Sequence, residues 1–340
     1  MKEALLYEKL EKDKVKCNLC PKRCVIAPSK RGYCQVRANE EGILYTLVYG
    51  KCSSVAVDPI EKKPLFHFYP GSSVFSLGTV GCNFRCIHCQ NWTIAHAKPG
   101  AADNLRHIPP DEAVQLAKEY HCQGIAWTYN EPTIWFEYTL DTAKLCQKKG
   151  LYTVYVTNGY ITEEALDMIG PYLDAYRVDV KGFSRDFYKK LAKVSDFFPV
   201  LDMAIYAKQK WNMHVEIVTN VIPTLNDGEE ELRGIAHWIR ENLGEETPWH
   251  VTRFMPHLEL SHLPPTPVRT LEKARDIGFK EGLHFVYIGN VWAHPGENTY
   301  CYNCQNLVIE RTGYNISLFE VEQGKCKFCG KELNIRPPFP

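Results

Sequence analysis

Fourteen cysteines stand in this chain of 340 residues, and eleven of them fall into three tight groups. Thiolates bind soft metal ions and iron–sulfur clusters, so such grouping points to metal chemistry. The opening residues MKEALLYEK lack the pattern of a secretory signal, and a reducing cytoplasm favours free or metal-bound thiols over disulfides. The central group, Cys82, Cys86 and Cys89, is spaced C-x3-C-x2-C within TVGCNFRCIHCQNW, residues 79–92. A structural zinc site is closed by four ligands. A cuboidal [4Fe–4S] cluster held by three cysteines instead keeps one iron free for a substrate or cofactor. The count of three therefore predicts a reactive cluster, with Cys82, Cys86 and Cys89 as its catalytic ligands. His88 is the alternative fourth ligand of a zinc site, but as the neighbour of Cys89 it would have to turn back on itself.

The two flanking groups each offer four thiolates and so predict closed sites. Cys17, Cys20, Cys24 and Cys34 read C-x2-C-x3-C-x9-C. Zinc is the first choice there and an auxiliary [4Fe–4S] cluster the rival. Cys301, Cys304, Cys326 and Cys329 form two C-x2-C knuckles, the pattern of structural Zn2+, with a rubredoxin-like iron as rival. The tail that carries them is too short to fold without a staple, so its folding is expected to be coupled to the metal. Cys52, Cys122 and Cys146 stand alone and read as small buried apolar residues.

The elements that must position these groups are legible from residue 74 onward. Short apolar runs alternate with stretches of helical period. Strands are expected at 74–77, 125–129, 152–157, 175–180, 215–219 and 250–255, with a last one at 284–288. Helices open at Pro110, carry Ile134, Tyr138 and Leu145 on one face, start after Thr162 as N-cap, and follow Gly228. Six such repeats predict an α/β fold of parallel strands with right-handed crossovers, an open partial (β/α)6 barrel. Catalytic groups then sit at the C-terminal ends of the strands. Residues 1–70 are turn-rich and predict a small Cys-rich domain. Residues 71–290 make the barrel, and 291–340 a zinc-ribbon-like tail.

A C-x3-C-x2-C loop directly after the first strand of a βα-repeat chain resembles the radical SAM superfamily. That resemblance implies a [4Fe–4S] cluster whose open iron binds S-adenosylmethionine (SAM), and reductive cleavage to a 5′-deoxyadenosyl radical that abstracts hydrogen from a substrate. More closely, DPIEKKPLFHFYPG (58–71), CNLCPKRC (17–24), GYC (32–34), YNEPT (129–133) and YIGN (287–290) are similar to the radical SAM enzymes of the AmmeMemoRadiSam system, themselves related to pyruvate formate-lyase activating enzymes. This implies Memo-like and AMMECR1-like partners and a reductant such as flavodoxin or ferredoxin. It also implies cofactor contacts from strand ends: Asn130 and Glu131 in YNEP, with Glu131 toward the methionyl ammonium; Asn158 in TNG; Asp179 and Lys181 in DVK; and His257, one residue out of register.

Two other readings stay open. One is an activating enzyme for a glycyl-radical enzyme. The other, from a different class, is a non-catalytic zinc-binding interaction protein. Forty basic residues balance forty acidic ones, so no charge footprint for nucleic acid is present. No apolar run reaches the roughly 18 residues of a membrane span, so no membrane partner is expected.

Overall fold

The structure is a computed structural model that describes residues 1–337 and 339. Its centre is an eight-stranded sheet: β1 (Ser54–Pro59), β2 (Ser73–Gly78), β3 (Gly124–Trp127), β4 (Tyr152–Thr157), β5 (Ala175–Asp179), β6 (His214–Val221), β7 (Trp249–Arg253) and β8 (Val286–Gly289). They lie in that spatial order. β2 to β8 pair in parallel, and β1 is antiparallel to β2. Six helices alternate with the parallel strands: α1 (Pro110–Glu119), α2 (Phe136–Lys148), α3 (Glu163–Ile169), α4 (Phe198–Trp211), α5 (Glu229–Leu243) and α6 (Val268–Lys280). β1 and β8 do not pair with each other, so the barrel is open. This is the expected α/β architecture of parallel strands with crossover helices. No helix among the described residues is long and apolar enough to cross a membrane.

The strands form where β-branched and aromatic residues crowd together. All six residues of β4, YTVYVT, are buried, as expected for a strand covered on both faces. Alternation then splits the core in two. Phe75, Ile125, Trp127, Tyr155 and Tyr176 face the helices in one cluster. Val74, Ala126, Val154, Val156 and Ala175 face the lumen in another. The second cluster is completed by Ile60, Leu65 and Phe68, which belong to the segment between β1 and β2. That segment plugs the lumen. The sheet therefore begins inside the stretch expected to form a separate N-terminal domain. β1 was not expected as a strand of the sheet, because residues 1–70 read as turn-rich.

The N-terminal residues build two small antiparallel sheets, one from 2–3, 37–40 and 43–46 and one from 7–9, 15–17 and 25–26. The tail adds a three-stranded sheet from 299–300, 307–312 and 315–319. It packs Val308, Ile309 and Leu333 against Phe66, Phe285 and Tyr287.

The plug is pinned by one buried carboxylate. Glu216 of β6 has no solvent exposure. It accepts from the backbone N–H of Phe66 (3.0 Å) and of His67 (2.8 Å). His214 Nε2 (2.9 Å) and His250 Nε2 (2.6 Å) also face it. Burial alone would raise its pKa; the two histidine hydrogen bonds outweigh that and hold it well below the usual carboxylate range. Glu216→Gln replaces one acceptor oxygen by a donor facing these N–H groups. It should cost about 3 kcal/mol or more and lower the apparent thermal midpoint by several degrees. An unchanged midpoint in differential scanning calorimetry would contradict this role.

Candidate active site

The central cysteines ride on the loop that leaves the C-terminal end of β2. Cys86 is buried, and Cys82 and Cys89 are half-buried. The loop is held from several sides. Arg85 donates through Nη1 to the carbonyls of Cys82 (2.8 Å), Phe84 (3.0 Å) and Ala95 (3.2 Å), and through Nη2 to that of Tyr33 (2.9 Å). The N–H groups of Arg85 and Ile87 donate to Ala192 (3.1 Å) and Leu191 (2.9 Å), and Ile87 accepts from Glu259 (3.0 Å). Burial pushes the Cys86 thiol up to about 12, against the pull of Lys181, and the Cys82 thiol well above its ordinary value. A metal that binds here therefore displaces protons as it does so.

The expected strand-end residues occupy this same end of the sheet. Asn130 accepts from the Thr79 N–H (3.1 Å) and donates to the Gly81 carbonyl (2.8 Å), so its amide shapes the start of the cysteine loop. Glu131 is buried and spends its carboxylate within the chain. Oε1 accepts from Thr133 N–H (3.0 Å) and Thr157 Oγ1 (2.7 Å), and Oε2 from Asn158 N–H (2.7 Å). Burial raises its pKa, opposed by these donors. Asn158 is the residue these bonds position. Its Nδ2 donates to Asn83 Oδ1 (2.8 Å) and stands 3.7 Å from Cys82 Sγ.

Asp179 and Lys181 share one face, as strand alternation requires, and form an ion pair at 3.0 Å. Arg177 pairs with the other oxygen of Asp179. Burial would raise the Asp179 pKa, but Arg177 and Lys181 hold it below the usual value. Lys181 stays protonated, because Asp179 more than offsets its desolvation. His257 is half-buried at the start of the Leu258–Leu260 turn, whose Glu259 bonds Ile87 of the cysteine loop. Its side chain makes no hydrogen bond within the chain among those described, so it joins the others only by position.

Three further residues, none of them expected in the site, shape it. Asn83 and Arg85 lie inside the motif but carry no ligand pattern. Asn226 reads as a turn residue, yet it is buried and donates to the carbonyls of Lys181 (2.8 Å) and Asn220 (2.9 Å), tying the ends of β5 and β6 together. Thr162 does precede α3, but it does not cap it. Its hydroxyl donates to the carbonyls of Asn18 (2.8 Å) and Leu19 (3.1 Å), binding the helix start to the N-terminal cysteine loop.

The three cysteine groups differ in spacing. In the tail, Cys301, Cys304, Cys326 and Cys329 place all four sulfurs within 4.8 Å of one another. The Cys301–Cys329 and Cys304–Cys326 separations are 3.6 and 3.7 Å. Bonds of about 2.3 Å to one tetrahedral ion imply sulfur–sulfur edges of about 3.8 Å. The tail thus fits a single ion. Among the described residues it is the one group of three or more candidate ligands this tight. Cys82, Cys86 and Cys89 are spread wider, and His88 does not join them in a tight set. His88 is a neutral imidazole whose pKa burial lowers to about 3, with Nδ1 unpartnered. A wide trio without a fourth protein ligand fits a three-cysteine cluster better than a closed zinc site.

With this geometry in place, the relatives can be compared. Residues 76–239 match the radical SAM superfamily. An uncharacterized protein of Methanocaldococcus jannaschii is 47% identical over 337 residues, 98% of this chain and 99% of that protein. The pyruvate formate-lyase-activating enzyme of Clostridium pasteurianum is 26% identical over 171 residues, 47% of this chain and 66% of that enzyme. A solved radical SAM methyltransferase from Sphaerobacter thermophilus aligns at 15% identity and a TM-score of 0.49, over 65% of this chain and 67% of that one. The chain belongs to the radical SAM superfamily, a superfamily of enzymes.

The loop's geometry rests on Gly81. Its φ is +95°, and a Cβ there would meet the Cys34 carbonyl oxygen at 2.8 Å and Val36 Cγ1 at 2.7 Å. Gly81→Ala adds left-handed strain to a clash with backbone, about 1–3 kcal/mol or more. The expected result is a lower thermal midpoint; wild-type stability would show that the loop tolerates a side chain there.

Proposed function

We propose that this protein is a SAM-cleaving radical enzyme of the AmmeMemoRadiSam type. The observation that carries the reading is the convergence of three widely spaced cysteines with Asn158, Asp179 and Lys181 at one end of a parallel sheet. Cys82, Cys86 and Cys89 would hold a [4Fe–4S] cluster, and the side chains of Asn158, Asp179, Lys181 and His257 would face SAM. When bound, this pair supplies one-electron cleavage of the sulfonium and a 5′-deoxyadenosyl radical that takes a hydrogen atom from the substrate.

The chain's own residues bind and orient. Glu131 is a positioning residue: it fixes the Asn158 N–H, and through it the amide beside Cys82. Asn130 and Arg85 hold the loop's backbone. Asp179 and Lys181 present paired charges suited to the polar ends of a zwitterionic nucleotide, and the pair remains charged without external counterions. The near-full-length motif pattern supports Memo-like and AMMECR1-like partners, a flavodoxin- or ferredoxin-type reductant, and a reducing cytoplasmic setting for fourteen free thiols. A second reading, activation of a glycyl-radical enzyme, is supported by the similarity to pyruvate formate-lyase-activating enzyme, which spans 47% of this chain.

The tail quartet we assign to one tetrahedral ion on the strength of its sulfur–sulfur separations, and to Zn2+ because two C-x2-C knuckles are the pattern of structural zinc.

Cys86→Ala should abolish 5′-deoxyadenosine formation from SAM under anaerobic dithionite while the circular dichroism spectrum stays that of wild type. Full turnover by this variant would refute the cluster assignment. Cys301→Ala should remove about one zinc per chain, as expected for a four-thiolate site, and open residues beyond about 299 to limited proteolysis with the barrel intact. Unchanged zinc content by elemental analysis would refute the tail assignment.

A further inference from the structure

Cys17, Cys20, Cys24 and Cys34 surround a small cavity of about 20 Å³. All four cysteines line it, and Leu19, Ile26 and Ile134 give it apolar walls. The same chain shows how a one-ion site looks: the tail quartet has its sulfurs drawn within 4.8 Å of one another. The N-terminal quartet is not drawn together in that way. Four thiolates facing one cavity, yet farther apart than around a single ion, call for an occupant with more than one metal. In a cuboidal cluster each thiolate stands on a different iron at a different corner, so the ligand sulfurs lie farther apart than around a single ion.

The cavity wall also carries an unanswered donor. Arg37 is 1% exposed. Its Nη1 stands 3.8 Å from Cys17 Sγ, and its Nη2 pairs with the buried Glu137. Its Nε is buried with no partner. A buried guanidinium N–H without an acceptor is costly. Inorganic sulfide is an acceptor that a cluster brings and a bare zinc ion does not. Lys22 lines the same cavity, with its Nζ donating to the Lys193 carbonyl (3.1 Å) and lying over the Tyr33 ring.

We propose that Cys17, Cys20, Cys24 and Cys34 hold a second [4Fe–4S] cluster, with all four irons capped by protein thiolates. Having no open iron, this site has no corner for SAM. It abuts the central loop directly. Asn83 lines the cavity, follows Cys82 in the chain and bonds Asn158. Tyr33 and Cys34 carry the carbonyls that meet Arg85 and Gly81. This inference goes beyond the SAM-cleavage reading and does not depend on it.

The test uses full-length protein produced and reconstituted anaerobically, with iron, sulfide and zinc counted per chain. Two cuboidal clusters predict about eight iron and eight sulfide for wild type, and about four of each for the Cys82→Ala/Cys86→Ala/Cys89→Ala variant. That variant should stay brown, and dithionite should give it an electron paramagnetic resonance signal that SAM does not alter. Cys17→Ala/Cys34→Ala should halve the wild-type iron. Wild type with about four iron and two zinc, or a triple variant free of iron and sulfide, overturns the second cluster. Iron that is the same in wild type and triple variant, at about four per chain, supports the second cluster and removes the central one instead. The wild-type count decides the matter should the variants fail to fold.

Discussion

The barrel depends on filling its own lumen with charges that satisfy each other. An open parallel sheet of this length leaves an interior that apolar side chains alone do not close. The segment from Ile60 to Gly71 enters it, and Glu216 anchors that segment by two backbone N–H groups and two imidazoles. Above it, Lys63 and Lys62 donate to Asp58 at 2.6 and 2.7 Å, and Tyr129 Oη joins them at 2.7 Å. Burial lowers the Lys63 pKa to about 8 even beside Asp58, which measures how dry this layer is. Arg177 Nε donates to the Lys63 carbonyl at 2.7 Å and its guanidinium pairs with Asp179. A continuous polar column thus runs from the plug to the Asp179–Lys181 pair. Removing Arg177 would strand the buried side of Asp179.

The cysteine loop is built by a similar logic of interlocking backbone. Its carbonyls are covered by Arg85, its entry by Asn130, and its flank by the carbonyls of Tyr33 and Cys34 from the N-terminal segment. Residues 17–34 are therefore part of the wall of the site rather than an ornament beside it. Thr162 makes the same point from α3, giving its hydroxyl to the N-terminal loop instead of to its own helix.

Much of this was legible in the residues. β4 is found where YTVYVT predicts it, and the six βα repeats follow the alternation of apolar runs and helical period. The cysteine spacings and the shared face of Asp179 and Lys181 also follow from simple counting. Three things did not. β1 carries Ser and Pro at its ends and lies on the edge, where pattern is weak. Glu131 and Asn130 have the residue types of ligands, and their oxygens also accept from N–H groups and the Thr157 hydroxyl that only the fold brings near. The two cysteine quartets are equal in number, so only the distances between sulfurs separate a tight site from a wide one.

The tail docks on Phe66, Phe285 and Tyr287, at the end of the barrel where β6 and β8 begin, while the SAM-superfamily loop lies where the strands finish. Those two poles have the full thickness of the sheet between them. Oxidative damage at one pole consequently has no direct route to the other. Whatever happens to the central cysteines thus leaves the packing of the tail on Phe66, Phe285 and Tyr287 untouched.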